Sequence, residues 1–215
     1  MNINHDIDFW FEQYNSKSKV YEIFNDIFED DRGAFSEIWK HDTFLNEFSW
    51  LFGKNFIKQI NQSFSKENVI RGCHAQSGKS CQAKLVYATC HDIYDIITDC
   101  RPQSDTFGIS KLYILSHTKC NKLFVPRGFL HSIYVPNQHK SELAVLTYLC
   151  DNIYDKSAEV SVSPLSIIPQ ELEKNGLKTT NDFIISNKDK SGLDFNLFLD
   201  EVIEMYKNGK LWYEQ

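Results

Sequence analysis

The sequence predicts a mainly β protein, an antiparallel jelly roll with helical additions at its ends. Between Val20 and about Pro169, short runs alternate apolar and polar residues, the period-two mark of half-buried strands. Gly, Pro, Asn or charged clusters bound each run. No helical pattern interrupts them, which disfavours a parallel sheet built from βαβ units. Aromatic residues make up 14% of the chain, led by 16 Phe and 10 Tyr, and such a share suits sheets with bulky inward faces.

Residues 1–19 are polar and aromatic by turns and read as an N-terminal arm with a short helix. In DTFLNEFSWLFG (42–53), Phe44, Leu45, Phe48 and Leu51 fall near helical spacing and Gly53 is a stop, so a helix is expected there. The strand-like runs are KLVYATCHDIYDIITD, KLYILS, KLFVP, HSIYVP and ELAVLTYL. Their number and close spacing fit a sandwich or barrel. Residues 171–192 are polar and read as a linker or loosely packed tail. A last helix is expected over 194–208. Asp194 is its N-cap, Leu197, Phe198, Val202, Met205 and Tyr206 form an apolar stripe, Lys207 lies in the last turn and Gly209 follows as the stop. The stripe implies packing against the body or a partner subunit. The organisation expected is therefore an arm (1–19), a jelly-roll domain (20–170) and a C-terminal linker with an amphipathic helix (171–215).

Composition excludes several functions. A net charge of -6 argues against nucleic-acid binding, which usually needs a basic stripe. It leaves room for a small anionic ligand held by a few placed cations. No apolar run approaches the roughly 20 residues of a membrane span, and MNINHDIDFW is too polar for a signal peptide. The six cysteines form no CxxC, so a zinc ribbon is not expected; at 215 residues the chain needs no disulfide scaffold. They read as reduced small hydrophobes in a cytoplasmic protein.

Seven histidines raise the question of a metal. A metal-binding jelly roll usually places two histidines one residue apart on a strand, and here no such HxH pair occurs. Lys84 is expected in the same cavity as His74, where a cation would oppose a metal ion. Strand alternation instead puts His74 and Gln76 on one face, with Lys84 opening the next strand, His131 after the turn PRGFL, and Tyr148 and Tyr154 close behind. His, Lys and Tyr in one cavity supply a base, a cation and an acid. That set suits proton abstraction beside a carbonyl, with lysine stabilising the enolate oxygen and tyrosine returning a proton from the other side. Spacing alone equally permits a structural His74, half-buried sheet tyrosines and a snorkelling Lys84.

Five segments, in order, resemble the dTDP-4-dehydrorhamnose 3,5-epimerase family. They are FEDDRGAFSE, FIKQINQSFSKENVIRGCHAQ, KLVYATCHDIYDIITDCRPQSDTFG, KLFVPRGFLHSIYV and VLTYLCDNIYD. The resemblance covers about residues 20–169. It implies a double-stranded β-helix, the cupin-like jelly roll, usually a homodimer with exchanged strands. It implies a nucleoside-diphosphate-linked 4-keto-6-deoxyhexose as substrate, with no metal and no cofactor. By position, His74 matches the family's catalytic base, Tyr148 its proton donor and Lys84 the lysine near the C4 oxygen. Arg71 and His131 match substrate-pocket residues, and Tyr154 an aromatic residue at the sugar or nucleotide. Arg32 matches an arginine at the diphosphate, often from the neighbouring subunit. Glu37, Gln59 and Asn61 match residues lining the nucleotide or sugar region. The product is expected to enter surface polysaccharide.

The chain also departs from the family pattern. In EVSVSPLSIIP, Ser163 stands where the histidine-orienting aspartate is expected, and Asp151 and Asp155 are the nearest replacements in sequence. A neutral serine cannot stabilise an imidazolium as a carboxylate does. Three readings follow: an epimerase acting at C3, C5 or both; a sugar-nucleotide binding module that has lost catalysis; or a ketoisomerase using the same enediol route. The kept His74, Lys84 and Tyr148 favour the epimerase.

Overall fold

The computed structural model describes residues 2–4, 19–40, 57–137, 142–177 and 182–213. The helix expected over 42–53, and most of the arm that ends at residue 19, lie outside the described residues. Within them the protein is a two-sheet jelly roll, as the alternation predicts.

The first sheet runs in the order β1 (Asn2–Asn4), β2 (Tyr21–Phe24), β10 (Lys122–Val125), β7 (Lys84–Cys90), β12 (Ala144–Cys150), β5 (Gln59–Ser65). The second runs β13 (Glu159–Ser161), β6 (Val69–Gln76), β11 (Phe129–Tyr134), β8 (Ile93–Asp99), β9 (Ser110–Leu115), with β14 (Ile184–Ile185) parallel to β6. A separate hairpin joins β3 (Phe28–Asp30) to β4 (Gly33–Phe35). The run KLVYATCHDIYDIITD is two strands rather than one. It breaks at His91, where φ is +59°, and β7 and β8 enter different sheets.

Alternation sorts the side chains into layers. Val86, Ala88, Ile93, Ile97, Leu123, Phe129, Ile133 and Leu146 come from both sheets and form the core between them. The other faces of β6, β8 and β11 supply Ile70, Cys73, Ala75, Ile96 and Leu130 to a second core, covered by the C-terminal segments.

Those segments are ordered elements where the sequence suggests a loose tail. Helix α1 (Ile168–Lys174) buries Ile168 and Leu172. Helix α2 (Asn187–Lys190) is a single turn, and α3 (Phe195–Lys207) follows. Asp194 caps α3 as expected, its carboxylate accepting from the Asn196 and Leu197 N–H groups, and Gly209 lies past the end with φ +72°. The stripe on α3 is turned from the one expected: Phe198 and Val202 are buried and Phe195 and Leu199 pack beside them, whereas Leu197, Met205 and Tyr206 are exposed.

The strand β6 carries a bulge. His131 faces His74 and Ile133 faces Arg71, so three steps on β6 match two on β11. Arg71 and His74 therefore present the same face despite their odd spacing. Gly72 lies between them with φ +105°, and a Cβ there would sit 2.6 Å from the His131 carbonyl oxygen. Only glycine fits this close approach of two backbones.

Candidate active site

At one end of the sandwich, inward positions of β5, β6, β7 and β12 converge on a cavity of about 300 Å³. Register explains the convergence: on the first sheet Tyr148 faces Asn61 and Cys150 faces both Gln59 and Lys84. His74, Gln76, Lys84, Tyr148, Gln59 and Asn61 line the cavity, joined by Gln82, Tyr154 and Glu159. Such a volume lies at the small end of ligand pockets.

His74 donates from Nε2 to the carboxylate oxygen Oδ1 of Asp189 at 2.8 Å. Asp189 comes from α2, 115 residues away in sequence, and its side chain is only 6% exposed. Burial pushes its carboxyl up, but the hydrogen bond and charge of His74, with help from the Gly72 N–H and Ser186, hold it below the ordinary carboxylate value. The carboxylate thus fixes one ring nitrogen as N–H and leaves the other with its lone pair.

This overturns the expectation built on Ser163. Its backbone N–H binds Leu193 O, and Gly192 packs against the same stretch, so the carboxylate at the His74 ring is that of Asp189. The alternatives are engaged elsewhere. Asp151 accepts from Arg127 and from the Ala83 N–H. Asp155 accepts from Ser157 and Ser80.

Lys84 lines the cavity, and among the described residues its ammonium makes no hydrogen bond. Burial lowers its pKa from 10.5, partly offset by Cys150, Asp95, Cys81 and Glu159 nearby. Cys81 and Cys150 are thiols, each pushed up to about 11 by burial. Tyr148 is held above its ordinary value by burial and by Cys150, while the Arg71 charge pulls the other way, so it remains a phenol and a proton donor at neutral pH.

His131 sits beside His74 across the β6–β11 ladder, but its partner is Asp95, Nε2 to Oδ2 2.9 Å, and it is not among the cavity-lining residues. Arg71 is likewise outside the lining, its guanidinium donating to Ser65 Oγ and Phe64 O. Tyr154 is at the mouth, its hydroxyl donating to Glu159 Oε2 at 3.0 Å, and Lys188 pairs with the other Glu159 oxygen. Arg32 and Glu37 are not brought to this cavity. Arg32 stands on the β3–β4 turn beside Asp30 with its side chain 90% exposed, and Glu37 pairs with Lys40. Among the described residues, no three His, Cys, Asp or Glu are grouped to hold a metal ion.

Sequence reasoning missed Asp189, Glu159, Lys188 and Asp95. One signal for Asp189 was legible: Ser186-Asn187-Lys188-Asp189 is a capping box, and Ser186 Oγ accepts from the Asp189 N–H at 3.0 Å. It marks a helix start, but not which histidine the aspartate meets.

Comparison with known proteins bears on what this arrangement does. A model of a family described as dTDP-4-dehydrorhamnose 3,5-epimerase matches residues 16–196. The dTDP-4-dehydrorhamnose 3,5-epimerase of Salmonella typhimurium is 36% identical over 137 residues, covering 63% of this chain and 70% of that one. That of Methanothermobacter thermautotrophicus is 30% identical over 174 residues, covering 77% and 84%. Among solved structures, the enzyme of that name from Elizabethkingia anophelis superposes with TM-score 0.68 at 33% identity, covering 87% of this chain and 97% of that one. A dTDP-6-deoxy-D-glucose-3,5-epimerase from Legionella pneumophila, in complex with dTDP-4-keto-L-rhamnose, gives TM-score 0.71 at 27% identity, covering 91% and 94%.

Proposed function

The chain belongs to the dTDP-4-dehydrorhamnose 3,5-epimerase family, and from that premise we propose how its own residues carry out the reaction. The protein is an isomerase, an epimerase acting on a nucleoside-diphosphate-linked 4-keto-6-deoxy sugar. The observation that carries the residue assignment is the Asp189-held His74 sharing one cavity with Lys84 and Tyr148.

His74 takes the proton from the carbon beside the C4 ketone. The C–H electron pair becomes the new C=C bond, and the carbonyl electrons move to oxygen as an enolate. Lys84, desolvated and with no carboxylate bound to it among the described residues, stabilises that oxygen. Tyr148 gives a proton to the opposite face of the same carbon, inverting it, and the phenolate and imidazolium re-equilibrate with water. Asp189 stabilises the imidazolium while it exists. The C4 ketone already acidifies the C–H bonds beside it, so the inversion as written needs no transient oxidation of the sugar.

Gln59 and Asn61 line the sugar region, with Tyr154 at its mouth. Arg71 and His131 act from just behind the cavity. Arg32 and Glu37 serve the pocket of a second copy: both are exposed, and the hairpin that carries Arg32 also exposes Phe28 and Phe35. The edge strand β5 exposes Ile60 and Phe64, which fits a homodimer. The cytoplasm is the compartment where such substrates are made; no helix of the described residues is long and apolar enough to cross a membrane.

The binding-module reading rested on a neutral residue at the orienting position. Asp189 supplies that carboxylate, so its ground is removed.

The test is proton NMR in deuterium oxide with dTDP-linked 4-keto-6-deoxyglucose. The H3 or H5 signal, or both, should vanish, the lost signal naming the inverted centre, and His74→Ala should stop the loss while the fold survives. Tyr148→Phe should keep exchange and impair inversion. Exchange undiminished in His74→Ala removes His74 as the base. Followed against pH, the wild-type rate should decline on the alkaline side below pH 10.5, because the lowered pKa of Lys84 makes it lose its charge early.

A further inference from the structure

The family match ends at residue 196, the second residue of α3. The chain continues through α3 to Trp212 and Tyr213, and both aromatic residues are buried. Their contacts reach two parts of the molecule that border the cavity.

One is the segment that carries Asp189. Helix α2 has four residues, too short to hold its own shape. Its position must come from its flanks. On the upstream side, β14 pairs with Val69 and Ile70 of β6. On the downstream side, Leu193 bonds Ser161 and Ser163 through its N–H and C=O, and α3 begins at once. Helix α3 docks through buried Phe198 and Val202, flanked by the half-buried Phe195 and Leu199, and Phe198 meets the Trp212 ring edge to face at 5.5 Å between centroids.

The other is the connection from β6 to β7, which runs from Gln76 to Lys84 and includes the cavity residue Gln82. The Gly78 N–H donates to Trp212 O at 2.9 Å. The Trp212 indole N–H donates to Cys100 O at 2.7 Å, in the second core. Tyr213 packs on Trp212 at 5.6 Å and stands over Gly128.

We propose that residues 194–213 are a positioning clamp for the catalytic groups, with Trp212 as its fastening residue. One end holds α2 so that Asp189 meets His74, and the other holds the β6–β7 connection leading to Lys84. Trp212 touches neither substrate nor the reacting atoms, so it is a positioning residue. The proposal rests on His74 acting as the base with Asp189 behind it.

The test is a double-mutant cycle on the full chain, reading solvent deuterium uptake into dTDP-linked 4-keto-6-deoxyglucose. Trp212→Ala should lower kcat about tenfold with KM changed less than twofold, since the sugar contacts stay in place. Trp212→Phe, which keeps the packing on Phe198, should recover most of the loss. In an Asp189→Asn background, Trp212→Ala should cost less than threefold more, because the alignment of Asp189 no longer matters and only the hold on the β6–β7 connection is left to lose. Equal losses in both backgrounds, or an unchanged kcat in Trp212→Ala, overturn the clamp. An Asp189→Asn variant with wild-type exchange overturns the His74–Asp189 reading instead, so the two failures are distinguishable. Should Trp212→Ala not fold, Trp212→Leu carries the same cycle.

Discussion

The carboxylate beside the His74 ring is Asp189, and not Asp151 or Asp155, the replacements that the sequence suggests for the aspartate missing at Ser163. Asp189 lies 2.8 Å from the His74 ring, buried on a one-turn helix. Ser163 is tied by its backbone to Leu193. Asp189→Asn keeps the shape and removes the charge, so exchange into substrate should fall on the order of 10²-fold or more. Ser163→Asp should bring no gain. A faster Ser163→Asp variant, measured by the same deuterium uptake, would mean that Asp189 is not the partner that matters. The depressed carboxyl of Asp189 also ties stability to pH. Its contribution is complete above the ordinary value of 3.8 and is lost as pH falls through the lower folded value.

Among the elements, β6 carries His74 and Gln76, and its bulge is what makes RGCH usable. Simple alternation over Arg71 and His74 would send them to opposite faces. The extra residue at Gly72 and Cys73 restores a shared face. Gly72→Ala should be costly: its Cβ would meet the His131 carbonyl oxygen at 2.6 Å and Ser132 Cα at 2.9 Å, with φ at +105°. A loss of roughly 3 kcal/mol is expected from strain and close contact together, a fall in melting temperature of about 6–12 °C for a chain this size. Thermal unfolding by circular dichroism reads it directly; an unchanged midpoint would show that β11 can move away. Helix α3 and its N-cap were legible because caps and stops act through local hydrogen bonds. The face it buries, with Phe195 and Leu199 beside Phe198 and Val202, was not, because which side chains a helix buries depends on what the fold sets beside it.

For the whole molecule, two exposed apolar regions stand out, the β3–β4 hairpin with Phe28 and Phe35 and the β5 edge with Ile60 and Phe64. Scattered surface apolars are ordinary, but an edge strand with bulky outward groups invites pairing. The proposed homodimer should sediment at about twice the chain's 25.1 kDa. Mixing an Arg32→Ala chain with a His74→Ala chain should then restore activity at one pocket, since each variant lacks what the other supplies. A monomer at micromolar concentration, fully active, would move Arg32 out of the pocket.

Alternation, turn residues and caps by themselves determined the strand pattern of the jelly roll and the C-terminal helix, because period-two faces and capping bonds are set by near neighbours along the chain. The order of five short segments was enough to place the chain in its family. Tertiary structure alone decided that Asp189 orients His74 and that His131 answers to Asp95. It also decided that Lys84 stands desolvated among thiols and that Trp212 closes the far end of the cover over the second core. Those facts are distances and burials between residues up to 115 apart in sequence, and a carboxylate's partner or an ammonium's dielectric is fixed only when the chain has brought distant segments into contact.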